Sequence, residues 1–247
     1  MSPENPELQI VQKVAVEHQE EHIFGAETVR DIVIGMSDGL TVPFALAAGL
    51  SGAISSTNLI IIAGLAEIAA GSIAMGLGGY LAGKTEVDHY NSEMKREYDE
   101  VEKVPEVEKQ EIRTFLSTLG LSGTVQDQAL EEITKDKDKW VELMMKYELG
   151  LEKPDPKRAR KSAFNIGFSY IVGGLIPLSP YFFVASGLEG LRLSSIITLI
   201  CLFVFGYLKS KFTGVNPWTG ALQVMMIGAI AAGCAFGLAR LIEHGTF

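Results

Sequence analysis

The sequence predicts an all-α polytopic membrane protein with five transmembrane helices and a helical, charged insert between the second and third. Three observations predict it. Apolar runs long enough to cross a bilayer, about 20 residues at ~1.5 Å rise each, recur five times along the 247 residues. Between the second and third runs, residues 84–161 are dense in acids and bases and hold no run long enough to span. That stretch also carries 15 of the 21 Lys and Arg residues, the asymmetry expected of a cytosolic segment.

Residues 1–23 hold two prolines and five acids before any apolar run. They are expected as a mobile cytosolic tail without a site, and with no apolar core of a cleavable signal. Residues 24–83 follow as transmembrane helices 1 and 2. The first span runs from Asp31 to about Ala53 and places Asp38 between Gly35 and Gly39. Pro43 lacks an N–H, so the carbonyl of Gly39 loses its helical partner near the depth of Asp38. Acid, free carbonyl and the neighbouring Met36 are a candidate cation site.

The second span, Asn58 to Gly83, puts Glu67, Gly71, Met75, Gly79 and Gly83 at intervals of four. They form one helical stripe of an acid, a thioether and three bare backbone positions, and the glycines call for a close helix neighbour. A carboxylate inside a membrane is costly unless paired, protonated or bound to a cation. No Lys or Arg is placed inside a span to pair with Asp38 or Glu67, so both read as path residues rather than structural hydrogen-bonders.

The insert reads as four helices: Glu86 to about Val104, Val107 to about Leu119 after a break at Pro105, Val125 to Lys135, and Asp138 to Leu149. Residues 162–247 carry the last three spans, Ser162 to about Val184, Leu193 to Leu208, and Pro217 to Leu238, with the C-terminus. Counting bases in the connections places the N-terminus, the insert and the Lys209 loop in the cytosol and the C-terminus on the other side.

Within the insert, Glu93, Glu97 and Glu100 share a helical face, and Glu108 and Glu111 form a second acidic pair. Met144 and Glu148 lie four apart on the last helix, with Met145 beside them. A solvated acidic surface is the plain alternative. Like charges at these spacings destabilise a helix unless a cation lies between them, and Lys103 and Lys109 point to other sectors. In the second span, the soft sulfur of Met75 on the same face as the hard oxygens of Glu67 suits a borderline transition metal better than Ca(II) or Mg(II).

A formal charge of -9 argues against nucleic acid and for cations as partners. Cys201 and Cys234, both in apolar runs, read as buried packing residues rather than a disulfide or zinc pair. Glu86 and His89 make a single ExxH pair. A di-iron oxidase needs two, and His18, His22 and His244 lie in the tails. No Walker A loop is evident, which argues against an ATP-driven pump.

The motifs DGLTVPFALAAGLSG around Asp38 and GLAEIAAGSIAMGLGGYLA around Glu67 and Met75, with the acidic insert after them, closely resemble the vacuolar iron transporters of plants. The resemblance covers about Phe24 to His244. It implies a homodimer in the vacuolar membrane that exports cytosolic Fe(II) into the vacuole in exchange for protons. It needs no prosthetic group, and is not an enzyme. By the same resemblance Asp38 and Met75 match metal-translocation residues, and Glu67 a proton-linked or pathway acid. Glu97, Glu100, Glu108, Glu111, Met144 and Glu148 match the ligands of a cytosolic metal-binding domain, with Met145 a weaker match. The competing expectation is a membrane-anchored metal-dependent oxidase or metal sensor. Fe(II), Mn(II), Co(II) and Zn(II) are not ranked by these residues.

Overall fold

The structure, a computed structural model, describes residues 25–243 and 245. The expected tail over residues 1–23, with His18 and His22, lies outside the described residues, as does His244. Eight α-helices are described: α1 (Ala26–Ala53), α2 (Thr57–Lys103), α3 (Pro105–Thr118), α4 (Gly123–Thr134), α5 (Lys137–Tyr147), α6 (Arg158–Leu178), α7 (Gly187–Phe212) and α8 (Pro217–Glu243). A 3-10 turn, Ser179–Phe182, continues α6. Five of them, α1, α2, α6, α7 and α8, are long and apolar enough to span a membrane.

The sequence predicts a span ending at Gly83 and a separate helix from Glu86, whereas α2 is one helix of 47 residues. At ~1.5 Å per residue it reaches about 70 Å, twice the hydrocarbon thickness. The change from apolar to charged composition alters the solvent, not the hydrogen-bond ladder, and no proline interrupts 84–103. The real break comes at Pro105, which starts α3 at its first turn where a missing N–H costs nothing.

α6 is the central helix. Half of its apolar window is buried, against 22% for α7 and 17% for α8. It packs between α1 and α2 through small residues: a Cβ on Gly35 would lie 2.2 Å from the Ile166 carbonyl oxygen, and one on Gly39 2.4 Å from that of Tyr170. On α2, a Cβ on Gly83 would lie 2.8 Å from Ala159 Cα. The close neighbour expected from the glycine stripe is therefore α6. Leu178, Tyr181, Ile60, Ile68 and Ala47 fill the far end of this seam, where the Ser51 and Tyr181 hydroxyls lie 2.9 Å apart in a hydrogen bond.

Ile62, Ile73, Phe164, Ile196 and Ile230 are each more than half exposed, forming an apolar exterior suited to lipid. That exterior also corrects the cysteines. Cys201 is only half-buried and Cys234 is exposed, both as free thiols, because α7 and α8 turn one face outward.

The three short helices fold back onto the charged extension of α2. Ile112, Leu116, Leu130, Trp140, Val141, Met144 and Met145 close a core with Val101, the apolar stripe of each amphipathic helix facing inward. Asp136 caps α5, its carboxylate accepting from the amides of Asp138 and Lys139. Gly120, at φ +84°, supplies the left-handed residue that ends α3.

Candidate functional site

Two groups of side chains carry chemistry, one in the spans and one in the insert. In the spans, Asp38 is half-buried on α1, one residue before the close contact of Gly39 with Tyr170. α1 runs through Pro43 without interruption. Glu67 on α2 accepts a hydrogen bond from the Tyr170 hydroxyl of α6, while its second oxygen, Oε2, is buried without a partner. Gly71 makes room for that hydroxyl, since a Cβ there would lie 2.5 Å from it.

Glu67 opens on an apolar groove of about 740 Å³ between α1 and α8, walled by Val42, Leu46 and Ala235. Met75, two turns along the same helix, lies on a different cavity of about 460 Å³ between α1, α2 and α6. Met36 is half-buried, and its carbonyl faces Gly173 of α6. One chain thus places Glu67 and Met75 on separate grooves.

In the insert, carboxylate oxygens of Glu97, Glu100 and Glu108 lie within 4.8 Å of one another. Glu97 is 2% and Glu108 4% exposed, and one oxygen of each is buried without a hydrogen-bond partner. Buried carboxylates left unpaired are costly, and their protonation responds accordingly. Burial first, then Glu100, raises the Glu97 carboxyl. Burial followed by the charges of Glu111 and Glu97 pushes Glu108 up to about 7. Glu148, just past α5, is also pushed up to about 7, by burial first and then by the charges of Glu111 and Glu97. A divalent cation among them would relieve both the burial and the repulsion.

Met144, buried in the insert core, shares a cavity of about 410 Å³ with Glu111 and Glu148. Met145 faces another cavity beside Tyr90 and Tyr98. Glu93 pairs with Arg96 at 2.7 Å, and Arg96 also lies 3.6 Å from both Glu97 and Glu100. This arginine, unweighed at the level of spacing, supplies part of the cation that the acidic face calls for. Lys103 and Lys109 do turn away, to Asp99 and Glu106. Glu86 and His89 are exposed and outside the cluster.

Sequence reasoning also missed a buried pair. Asp31 and Arg158, both expected at or beyond the ends of spans, lie within α1 and α6 at 1% and 3% exposure and are joined by two hydrogen bonds of 2.7 and 3.2 Å. The statement that no base lies within a span is corrected, because α6 begins at Arg158, one turn before Ser162. The available signal was the seven-residue spacing of Asp31 and Asp38. Tyr170 had no signal, since a lone aromatic in an apolar run does not disclose its partner.

Five helices long and apolar enough to cross a membrane, two of them carrying carboxylates within their apolar stretches, define the class of a polytopic membrane protein. The VIT family model matches residues 29–240. The chain is 51% identical over 227 residues to vacuolar iron transporter 1 of Tulipa gesneriana, covering 92% of both chains. It is 51% identical to vacuolar iron transporter 1 of Arabidopsis thaliana over 92% of this chain and 91% of that one. Protein CCC1 of Saccharomyces cerevisiae is 38% identical over 87% of this chain and 69% of its own. The chain belongs to the VIT family.

Proposed function

We propose that this chain is a proton-coupled antiporter that moves cytosolic Fe(II) across the vacuolar membrane into the vacuole, for iron storage and detoxification. The named relatives are transporters of iron at the vacuole, and the observation that carries the reading is the continuity of α2. One helix holds Glu67 and Met75 in its apolar half and Glu97 and Glu100 in its charged half. Met75 and Glu97 are 22 residues apart, about 33 Å along the axis.

In this reading the insert is cytosolic, and Glu97, Glu100, Glu108, Glu111, Met144 and Glu148 collect Fe(II) beneath the membrane. Met145 and Glu93 stand at the margin of that set. Several partly protonated carboxylates bind weakly enough to release. Asp38 and Met75 then pass the ion inward, with Met36 near them and Glu67 handling protons. Two copies of the chain, joined as a homodimer along the grooves flanking α1, double the ligand set to four from Asp38 and Met75 alone. Protons from an acidic lumen compete for the carboxylates and expel the metal there. Mn(II), Co(II) and Zn(II) suit the same donors. The N-terminus stays cytosolic and the C-terminus lumenal.

The test is Fe(II) flux into proteoliposomes with an inside-acid gradient. Asp38→Ala is expected to abolish flux, and Glu97→Ala/Glu100→Ala to reduce it. Full flux in Asp38→Ala overturns the path, and flux indifferent to the gradient overturns the coupling. Oxygen consumption by the intact chain with Fe(II) would instead favour the anchored oxidase.

A further inference from the structure

The Asp31–Arg158 pair has no part in the reading above, yet it stands against the cavity that holds Met75. Asp31 precedes Asp38 by seven residues, so both lie on one face of α1 about two turns apart. Arg158 gives Nη1 and Nη2 to the two Asp31 oxygens. Its Nε lies 3.0 Å from Glu27 Oε2 and 3.7 Å from Glu86 Oε2, in neither case aligned as a hydrogen bond. Glu27 and Glu86 are about half exposed. The cavity between α1, α2 and α6 extends from Met75 and Ile34 to Ala82 and Arg30, with Asp31 and Arg158 in its wall. Ala82 and Arg30 mark the end nearer the insert.

A staple holding the start of α6 to α1 would account for the two hydrogen bonds. It would not account for a guanidinium with an unaligned N–H facing two further, solvent-accessible carboxylates beside an open cavity. A buried ion pair replaceable by apolar packing is often no more stable than that packing.

We infer that Arg158 is a cation gate at the insert-facing mouth of the Met75 cavity: it masks the charge of Asp31, and a divalent cation reaches Met75 as Arg158 shifts to Glu27 and Glu86 and leaves Asp31 to the ion. Asp31 is then a further path carboxylate, in line with Asp38. The inference rests on the proposal that the path passes Met75, and the experiment separates the two. Arg158 returning to Asp31 behind the ion restores the neutral pair and disfavours a second cation until the first has moved on.

The experiment uses the full chain in vesicles with the insert outward, with Cys201→Ser and Cys234→Ser and a reporter thiol from Met75→Cys. Membrane-impermeant methanethiosulfonates, one cationic and one anionic, are applied outside, and Mn(II) is the competing probe. In Arg158→Gln the cationic-to-anionic rate ratio is expected to rise roughly tenfold, and the Mn(II) concentration that half-protects the thiol to fall by a similar factor. Asp31→Asn shifts both in the opposite direction, Arg158→Gln/Asp31→Asn brings Mn(II) protection back to the parent value, and Arg158→Lys keeps the parent ratio. Unchanged Mn(II) protection in Arg158→Gln overturns the gate, as a staple would alter both reagents alike. Should Arg158→Gln fail to fold, an unchanged ratio in Asp31→Asn overturns it equally. A thiol reached by neither reagent in any background overturns the Met75 path, and the gate with it.

Discussion

Replacing Glu108 by Gln is expected to stabilise the metal-free insert above neutrality and to change little in acid. Glu108 is 4% exposed with an unpartnered Oε2, and burial with its acidic neighbours moves its carboxyl from 4.5 to about 7. An acid raised in this way keeps its proton in the folded chain and loses it more readily when unfolded. Its contribution is most favourable below about 4.5 and is lost as pH climbs through about 7. The shift of roughly 2.5 units, at ~1.36 kcal/mol each, sets an upper figure of about 3 kcal/mol at about pH 8.

Gln is neutral at every pH and removes that cost. Trp140, 4% exposed in the insert core, reports unfolding by its fluorescence in a Trp218→Phe background of the detergent-solubilised chain. Since ~1 kcal/mol moves Tm by about 4–8 °C in a unit of this size, a gain of up to about 12–24 °C is expected at about pH 8 without metal and almost none at about pH 4, below the unfolded carboxyl's range. Saturating Mn(II) should reverse the order, because the parent gains binding free energy that the variant has partly lost. Equal shifts at both pH values, or a loss at about pH 8, refute the reasoning.

Gly83→Ala is expected to destabilise the bundle by about 1–3 kcal/mol, because its Cβ would meet the Ala159 backbone at 2.8 and 2.9 Å. Gly233→Ala, with nothing within 4 Å, should be neutral or gain about 0.5–1 kcal/mol, and monodispersity after graded heating distinguishes them. Tyr170→Phe removes the hydrogen bond to Glu67, whose other oxygen is already unpartnered. Fe(II) flux should fall while the chain still elutes as a single species, and undiminished flux would show that Glu67 needs no positioning. Lys137→Ala should cost under about 1 kcal/mol, since its partner Glu102 is 68% exposed, and the loss should shrink at high salt.

The five spans and the helical insert were legible because each depends on local composition, as with the uninterrupted run from Asn58 to Gly83. Pro105 was legible as a break for the same reason. The end of α2 was not, because a hydropathy change resembles a boundary although the backbone ladder continues through Lys84. The acidic faces of Glu97, Glu100 and of Glu108, Glu111 were visible in their spacing, but Arg96 was not weighed. Its effect depends on which of several carboxylates its long side chain reaches.

The sequence by itself determined which segments are long and apolar enough to cross a membrane and which carboxylates lie on one helical face, since both follow from composition and near-neighbour spacing along one chain. Only the tertiary structure decided that α6 is the central helix, that Arg158 meets Asp31 across 127 positions and that Tyr170 meets Glu67 across 103. It also set Glu97 and Glu100 of α2 against Glu108 of α3. Such pairings depend on which glycine faces let two helices close together, a property of surfaces in contact rather than of any one stretch of chain.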